Sequence, residues 1–174
     1  MKQLTPDQAL VIHNALLLPT MKVEHRITRS VIAALPDDQK DYRPNEVAKT
    51  AFELAWHLAS AEHGFRMGVI NGEFDFSGLG RPDTVRTPED IATWYADTFA
   101  KDFDQLTKLT GGQLIKVLDF RGAVQLPALS FLQTGTSHSI HHRGQLSAYL
   151  RTMGAKVPAI YGESYDSRKN RVIG

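Results

Sequence analysis

The chain has 174 residues, 20 Lys plus Arg against 19 Asp plus Glu, a formal net charge of +1 and no cysteine. That length favours a single domain, residues 1–174, that buries its own core without metal or disulfides. The charge balance excludes an overall field for nucleic acid or an anionic membrane, and the missing cysteines exclude a thiol nucleophile and thiolate metal ligands together.

Four helices are expected, in chain order. Thr5-Pro6-Asp7-Gln8 opens the first with a Thr cap, Pro at the first helical position and Gln three residues after the cap. Its apolar residues continue to Leu35, and Pro19 inside it is expected to kink it or split it in two. Thr50-Ala51-Phe52-Glu53 is a second capping box, opening a helix that runs to about Ile70 before Asn71-Gly72 ends it. A Gly- and Pro-containing crossover loop follows to Arg86, and Thr87-Pro88-Glu89-Asp90 caps a third helix over residues 88–109, with Gly111-Gly112 as its stop.

Residues 115–124 are β-rich around a turn and predict a small hairpin. The fourth helix spans residues 127–153, with a poor cap, since Leu126 has no side-chain acceptor, and a weakly helical interior at Thr134-Gly135-Thr136-Ser137. The tail, residues 154–174, is expected to be irregular, packing on the bundle only over residues 156–161, so the helical core covers about residues 5–153. No apolar run approaches the roughly 20 residues of a membrane span, and the start of the chain lacks the features of a signal peptide, so the expected location is cytoplasmic.

With no phosphate loop and no nucleophile elbow, histidine is the informative residue. His138 and His142 are four apart on the fourth helix, which stacks them one turn apart on one face, whereas His141 points away. Among seven histidines such a spacing is a weak motif by itself, but the same face carries Phe131, Gly135, Gln145 or Leu146, Tyr149 and Met153 and mostly looks into the bundle. Two inward imidazoles need partners for their nitrogens. A shared cation supplies them, and so do hydrogen bonds to Thr136, Ser137 or the backbone. His57, in Leu54-Ala55-Trp56-His57-Leu58-Ala59, is set among apolar residues and is expected to be buried or nearly so, as a third ligand or as a core histidine bonded to a carbonyl. His13, His25 and His63 are read as ordinary surface or boundary residues.

At His57 and at Ser137-His138-Ser139-Ile140-His141-His142-Arg143-Gly144-Gln145-Leu146 the chain resembles the DinB-like (DinB/YfiT-type) family of four-helix-bundle metalloproteins, and the likeness covers nearly the whole chain. The resemblance implies an all-α four-helix bundle holding one divalent ion per chain, zinc or nickel, on His57, His138 and His142. Ser137 replaces the Asn often found before the first histidine of the fourth helix, which touches a local hydrogen bond rather than the ligand set. Family members with known activities transfer or isomerise with a small thiol such as bacillithiol or mycothiol, while others are read as hydrolases.

The expected function is therefore metal-dependent transfer between a small thiol cosubstrate and a small electrophile. The alternatives are a metal-dependent hydrolase or a non-catalytic metal-binding bundle in a stress response. No catalytic residue is assigned. Gln145 and His141 are candidates for substrate contact, and Glu53 could orient a ligand or act as a base, although the third position of the capping box accounts for it better. Ligating imidazoles must be neutral, so metal is expected to leave as the pH falls through about 6. The expected partners are small molecules and a second copy of the chain, with no nucleic acid and no membrane; the apolar tail segment Val157-Pro158-Ala159-Ile160-Tyr161 is the surface that calls for cover.

Overall fold

The structure, a computed structural model, describes residues 4–75, 77 and 80–169. Three of its four long helical stretches begin where a threonine caps them. Thr5, Thr50 and Thr87 each accept from the backbone N–H three residues on, and the residue there, Gln8, Glu53 or Asp90, reaches back to the cap N–H. These boxes open α1 (Pro6–Ile12), α3 (Ala51–Asn71) and α4 (Pro88–Leu106).

Between α1 and α2 (Leu18–Ala33) the helix does not split at Pro19. It widens one turn earlier into a π segment, His13–Leu17, whose Leu18 N–H donates to His13 O, and Pro19 sits in the first turn of α2. A proline ring needs relief from the preceding turn, and the wide turn supplies it without breaking the rod. A short 3-10 turn, Asp37–Gln39, follows α2.

The third helix stops at Leu106 rather than at residue 109, and Gly111-Gly112 is not a stop. A fourth capping box, Thr110 with Gln113, opens the short α5 (Gly111–Ile115) there. Gly111 is required by packing, since a Cβ would fall 2.2 Å from the Pro6 carbonyl oxygen. The expected hairpin forms as β1 (Val117–Phe120) paired antiparallel with β2 (Val124–Pro127), in the register Leu118 opposite Leu126. Its turn puts Arg121 (φ 58) and Gly122 (φ 69) in the left-handed region, and Gly122 N–H donates to Asp119 Oδ2 at 2.8 Å. For Gly122 this conformation is ordinary; for Arg121 it costs about 1 kcal/mol or more.

The hairpin leads directly into α6 (Ala128–Thr152), which has no side-chain cap; Ala128 N–H donates instead to Lys116 O. The weakly helical Thr134–Ser137 patch stays in the helix, with Thr136 Oγ1 donating to Leu132 O. The tail is not wholly irregular, because α7 (Tyr165–Lys169) forms in it. Val157 packs against the core, and its N–H donates to Asp166 of α7, so part of the apolar tail finds cover within the chain.

The four long helices close a ring in which α2 packs on α4, α4 on α3, α3 on α6 and α6 back on α2. The resulting all-α bundle has two apolar clusters. One gathers Val31, Leu54, Leu58, Tyr95, Leu146 and Leu150, the other Met21, Val69, Phe99, Leu106, Phe131 and Leu132. Between them lies a waist of buried polar side chains: Glu24, His25 and Thr28 on α2, Glu62 and Arg66 on α3, Asp102 on α4, and Ser139 and Arg143 on α6. Among the described residues no helix is long and apolar enough to cross a membrane.

Candidate metal centre

Helices α3 and α6 approach closely because Gly135 presents no side chain to Phe65: a Cβ on Gly135 would lie 2.8 Å from the Phe65 Cβ. From that contact α6 carries His138 and His142 past α3, which presents His57. The three imidazoles offer one donor atom each, all within 4.8 Å of one another. The His57 ring is 4.7 Å from that of His142 and 5.1 Å from that of His138. His138 Nε2 and His142 Nε2 are 3.1 Å apart.

Nitrogens bound at about 2.0–2.1 Å to one tetrahedral ion stand roughly 3.3 Å apart, so this pair is already spaced for a shared ion. Gln145 Oε1 lies 2.6 Å from His142 Nδ1 and can only accept, which puts the proton on Nδ1 and leaves the Nε2 lone pair facing His138. Gln145 thus acts on His142. Buried His138 Nδ1 has no hydrogen-bond partner, so neither Thr136 nor Ser137 satisfies it, and the hydrogen-bonded alternative fails for that atom.

The three rings are half-buried, His57 included, and are not core residues. Burial lowers His138 to about 4, with the nearby His142, His57 and His141 adding to the effect. Burial likewise lowers His57, followed by His142 and Lys49. Neutral imidazoles at neutral pH are what a metal requires. The donor set therefore fits a divalent ion. His141 is exposed, with its ring 4.9 Å from that of His142 and turned 73° to it, beside the cluster but outside it. Glu53 is spent on its cap: its carboxylate accepts from Thr50 N–H at 2.8 Å, and that bond is the main reason its pKa is lowered.

Two hollows meet at His57. One, of about 390 Å³, runs along α3 past Ala61 and Gly64 to Phe65, Phe120 and Arg121, with His138 also in its wall. The other, of about 410 Å³, is lined by Lys49, Phe52, Glu53, Trp56 and Arg81.

Sequence reasoning missed the waist beneath the site. Glu62 accepts from Arg66 Nη1 at 2.5 Å, from Tyr95 OH at 2.5 Å and from Ser139 Oγ, while Arg66 Nε donates to Asp102 Oδ2 at 2.8 Å. Ser139 adjoins His138, so this network ties α3, α4 and α6 together at the level of the cluster. The Glu62/Arg66 spacing of four was a legible helix pair, but nothing local showed that it is buried. His63 Nδ1 lies 2.7 Å from Asp102 Oδ2 at the edge of the network. His13 and His25, expected at the surface or boundary, are buried at 0 % and 9 % exposure. His25 stacks on Phe99 at 3.8 Å, and burial, with Arg66 and Arg29 nearby, lowers it to about 3.

Comparison with known proteins bears on the family and the fold. Protein YjoA of Bacillus subtilis (strain 168) is 27 % identical over 135 residues, covering 76 % of this chain and 86 % of that protein. YrdA of the same organism is 27 % identical over 150 residues, covering 83 % and 86 %. The crystal structure of the DinB-like protein YjoA superposes with a TM-score of 0.71 at 23 % identity over 84 % of this chain and 99 % of that one. A DinB-like protein from Bacillus cereus ATCC 10987 gives 0.71 at 24 % identity over 83 % and 95 %; at such identities the likeness is one of fold. The sequence model of the DinB family matches residues 8–171, and the chain belongs to the DinB family.

Proposed function

We propose that this protein holds one divalent ion, zinc or nickel, on His57, His138 and His142, and promotes transfer between a small thiol cosubstrate and a small electrophile. The observation that carries this reading is the all-imidazole cluster opening onto two hollows while the nearby carboxylates are engaged elsewhere. When bound, a divalent ion with neutral ligands keeps its full charge and favours the deprotonated form of a thiol or of water.

The residues around it bind and orient. Gln145 holds the His142 tautomer, and His57 joins the two hollows, so two small molecules can approach from different sides. Glu53 serves the N-terminus of α3, and Glu62 is 7 % exposed and bonded to Arg66, Tyr95 and Ser139. Neither is placed as a general base. A thiol, far more acidic than water, needs that help least.

The test is to offer metal-loaded protein a reactive electrophile with bacillithiol, mycothiol, glutathione or water as the sole nucleophile. The reading expects turnover with a thiol and its loss in His138→Ala. Thiol-independent hydrolysis that survives Gln145→Ala and disappears in Glu53→Gln would replace it with a carboxylate-driven hydrolase.

A further inference from the structure

The 390 Å³ hollow has a built interior whose chemistry differs from end to end. Its floor is the small-residue strip of α3, Ala61 and Gly64. Its wall is aromatic: the Phe65 and Phe120 rings lie parallel within 8° with centroids 5.5 Å apart, and Phe74 meets Phe120 edge-on at 5.0 Å. Phe65 is fixed in turn by its close fit against Gly135. The rings give a flat apolar molecule a surface to lie against, and the volume is in the range of small-ligand sites.

At the inner end are His57 and His138; towards the hairpin turn is Arg121. Among the described lining residues Arg121 is the cation and none is a carboxylate. Arg121 also holds the left-handed backbone (φ 58) that Gly or Asn adopts with less strain. The hairpin turn accounts for that conformation, since Ala123 N–H closes it on Phe120 O and both central residues need a positive φ, and it presents the Arg121 side chain at the end of the hollow.

We propose that this hollow is the binding subsite for a small molecule with a flat apolar body and one carboxylate, the body against Phe65 and Phe120 and the carboxylate towards Arg121, leaving the opposite end beside His57 and His138. The proposal rests on the reading above only for what that inner end undergoes; binding itself requires no metal. Arg121 is a specificity residue here: its planar guanidinium suits a carboxylate in two-point contact.

Isothermal titration of the full chain, both zinc-loaded and chelator-stripped, with 2-naphthoate and its neutral counterpart 2-naphthalenemethanol tests this. Naphthoate is expected to bind at least about tenfold more tightly than the alcohol in both forms. Arg121→Gln is expected to erase that preference without changing alcohol binding, and Ala61→Leu, which fills the hollow, to abolish both while zinc content and melting temperature hold. If Ala61→Leu fails to fold, the Arg121→Gln result decides alone, because that residue is on an exposed turn.

Equal affinities in the wild type, or a preference surviving Arg121→Gln, overturn the proposal. A preference seen only with zinc and indifferent to Arg121 would place the carboxylate on the metal and also overturn it. Failure of the metal reading is distinct: zinc then fails to bind while naphthoate binding follows the pattern above. Zinc bound at the histidines with no naphthoate binding leaves that reading intact and removes this one.

Discussion

Truncating Glu62 tests whether the polar waist, and not the apolar clusters alone, fixes the arrangement of α3, α4 and α6. In Glu62→Ala, Arg66, itself 1 % exposed, keeps only Asp102 as its carboxylate partner, and its Nη2 already lacks a hydrogen-bond partner. Tyr95 and Ser139 lose their acceptor together. Burial, the largest influence on the Tyr95 phenol, keeps it protonated without Glu62, so it remains a donor that has lost its carboxylate. Removing one member of a buried ion pair costs about 3–5 kcal/mol, a range that also covers the two hydroxyls' loss of their carboxylate acceptor. At about 2–4 °C per kcal/mol for a chain of this size, the melting temperature at pH 7 should fall by about 6–20 °C in a calorimetric scan. Glu62→Gln keeps the shape and one acceptor oxygen, so its loss should be about half as large. A Glu62→Ala protein melting within about 2 °C of the wild type would refute the reasoning.

Gly111→Ala drives a methyl group into the Pro6 backbone and should destabilise the protein by about 1–3 kcal/mol in urea unfolding, whereas an unchanged midpoint would mean that α1 and α5 can part freely. His25 is lowered to about 3 in the folded chain, against about 6.5 unfolded, so between these values the unfolded state binds more protons. Stability is therefore full above about pH 6.5 and falls as the pH drops towards 3, by a few kcal/mol, and His25→Phe should flatten that slope. Tyr161 donates to Glu24 and accepts from Arg143, yet is 69 % exposed, so Tyr161→Phe should cost under about 1 kcal/mol globally while speeding amide exchange around residue 161. With His138 lowered to about 4, protons compete for its nitrogen later than an ordinary imidazole allows; bound metal should persist at pH 6 and leave between about pH 5 and 4, and loss already complete at pH 6 would count against that environment.

What could be read from the sequence was local. Each capping box is written within four residues, so three helix starts were legible; the fourth, Thr110 with Gln113, was equally legible but masked by reading Gly111-Gly112 as a stop. The hairpin and the His138/His142 pair are likewise short-range. The place of His57 in the cluster needed the family resemblance, because nothing within α3 says which neighbour its imidazole meets. The polar waist was out of reach for a similar reason: Glu62 finds Tyr95 33 residues away and Ser139 77 away, and Arg143 finds Glu24 119 away. His25, expected at the surface or boundary, is flanked by Glu24 and Thr28, which are themselves buried partners of Arg143. At Pro19, where a kink or a split was expected, a π segment forms instead of a split, because widening one turn costs less than ending a helix whose Leu17, Leu18 and Met21 are all buried.

The most direct test of the account is metal content by mass spectrometry on tag-free protein reconstituted with zinc and desalted. The wild type, His63→Ala and His141→Ala should each carry one ion per chain, and His57→Ala, His138→Ala and His142→Ala should carry none. A full complement of zinc in His138→Ala would contradict it.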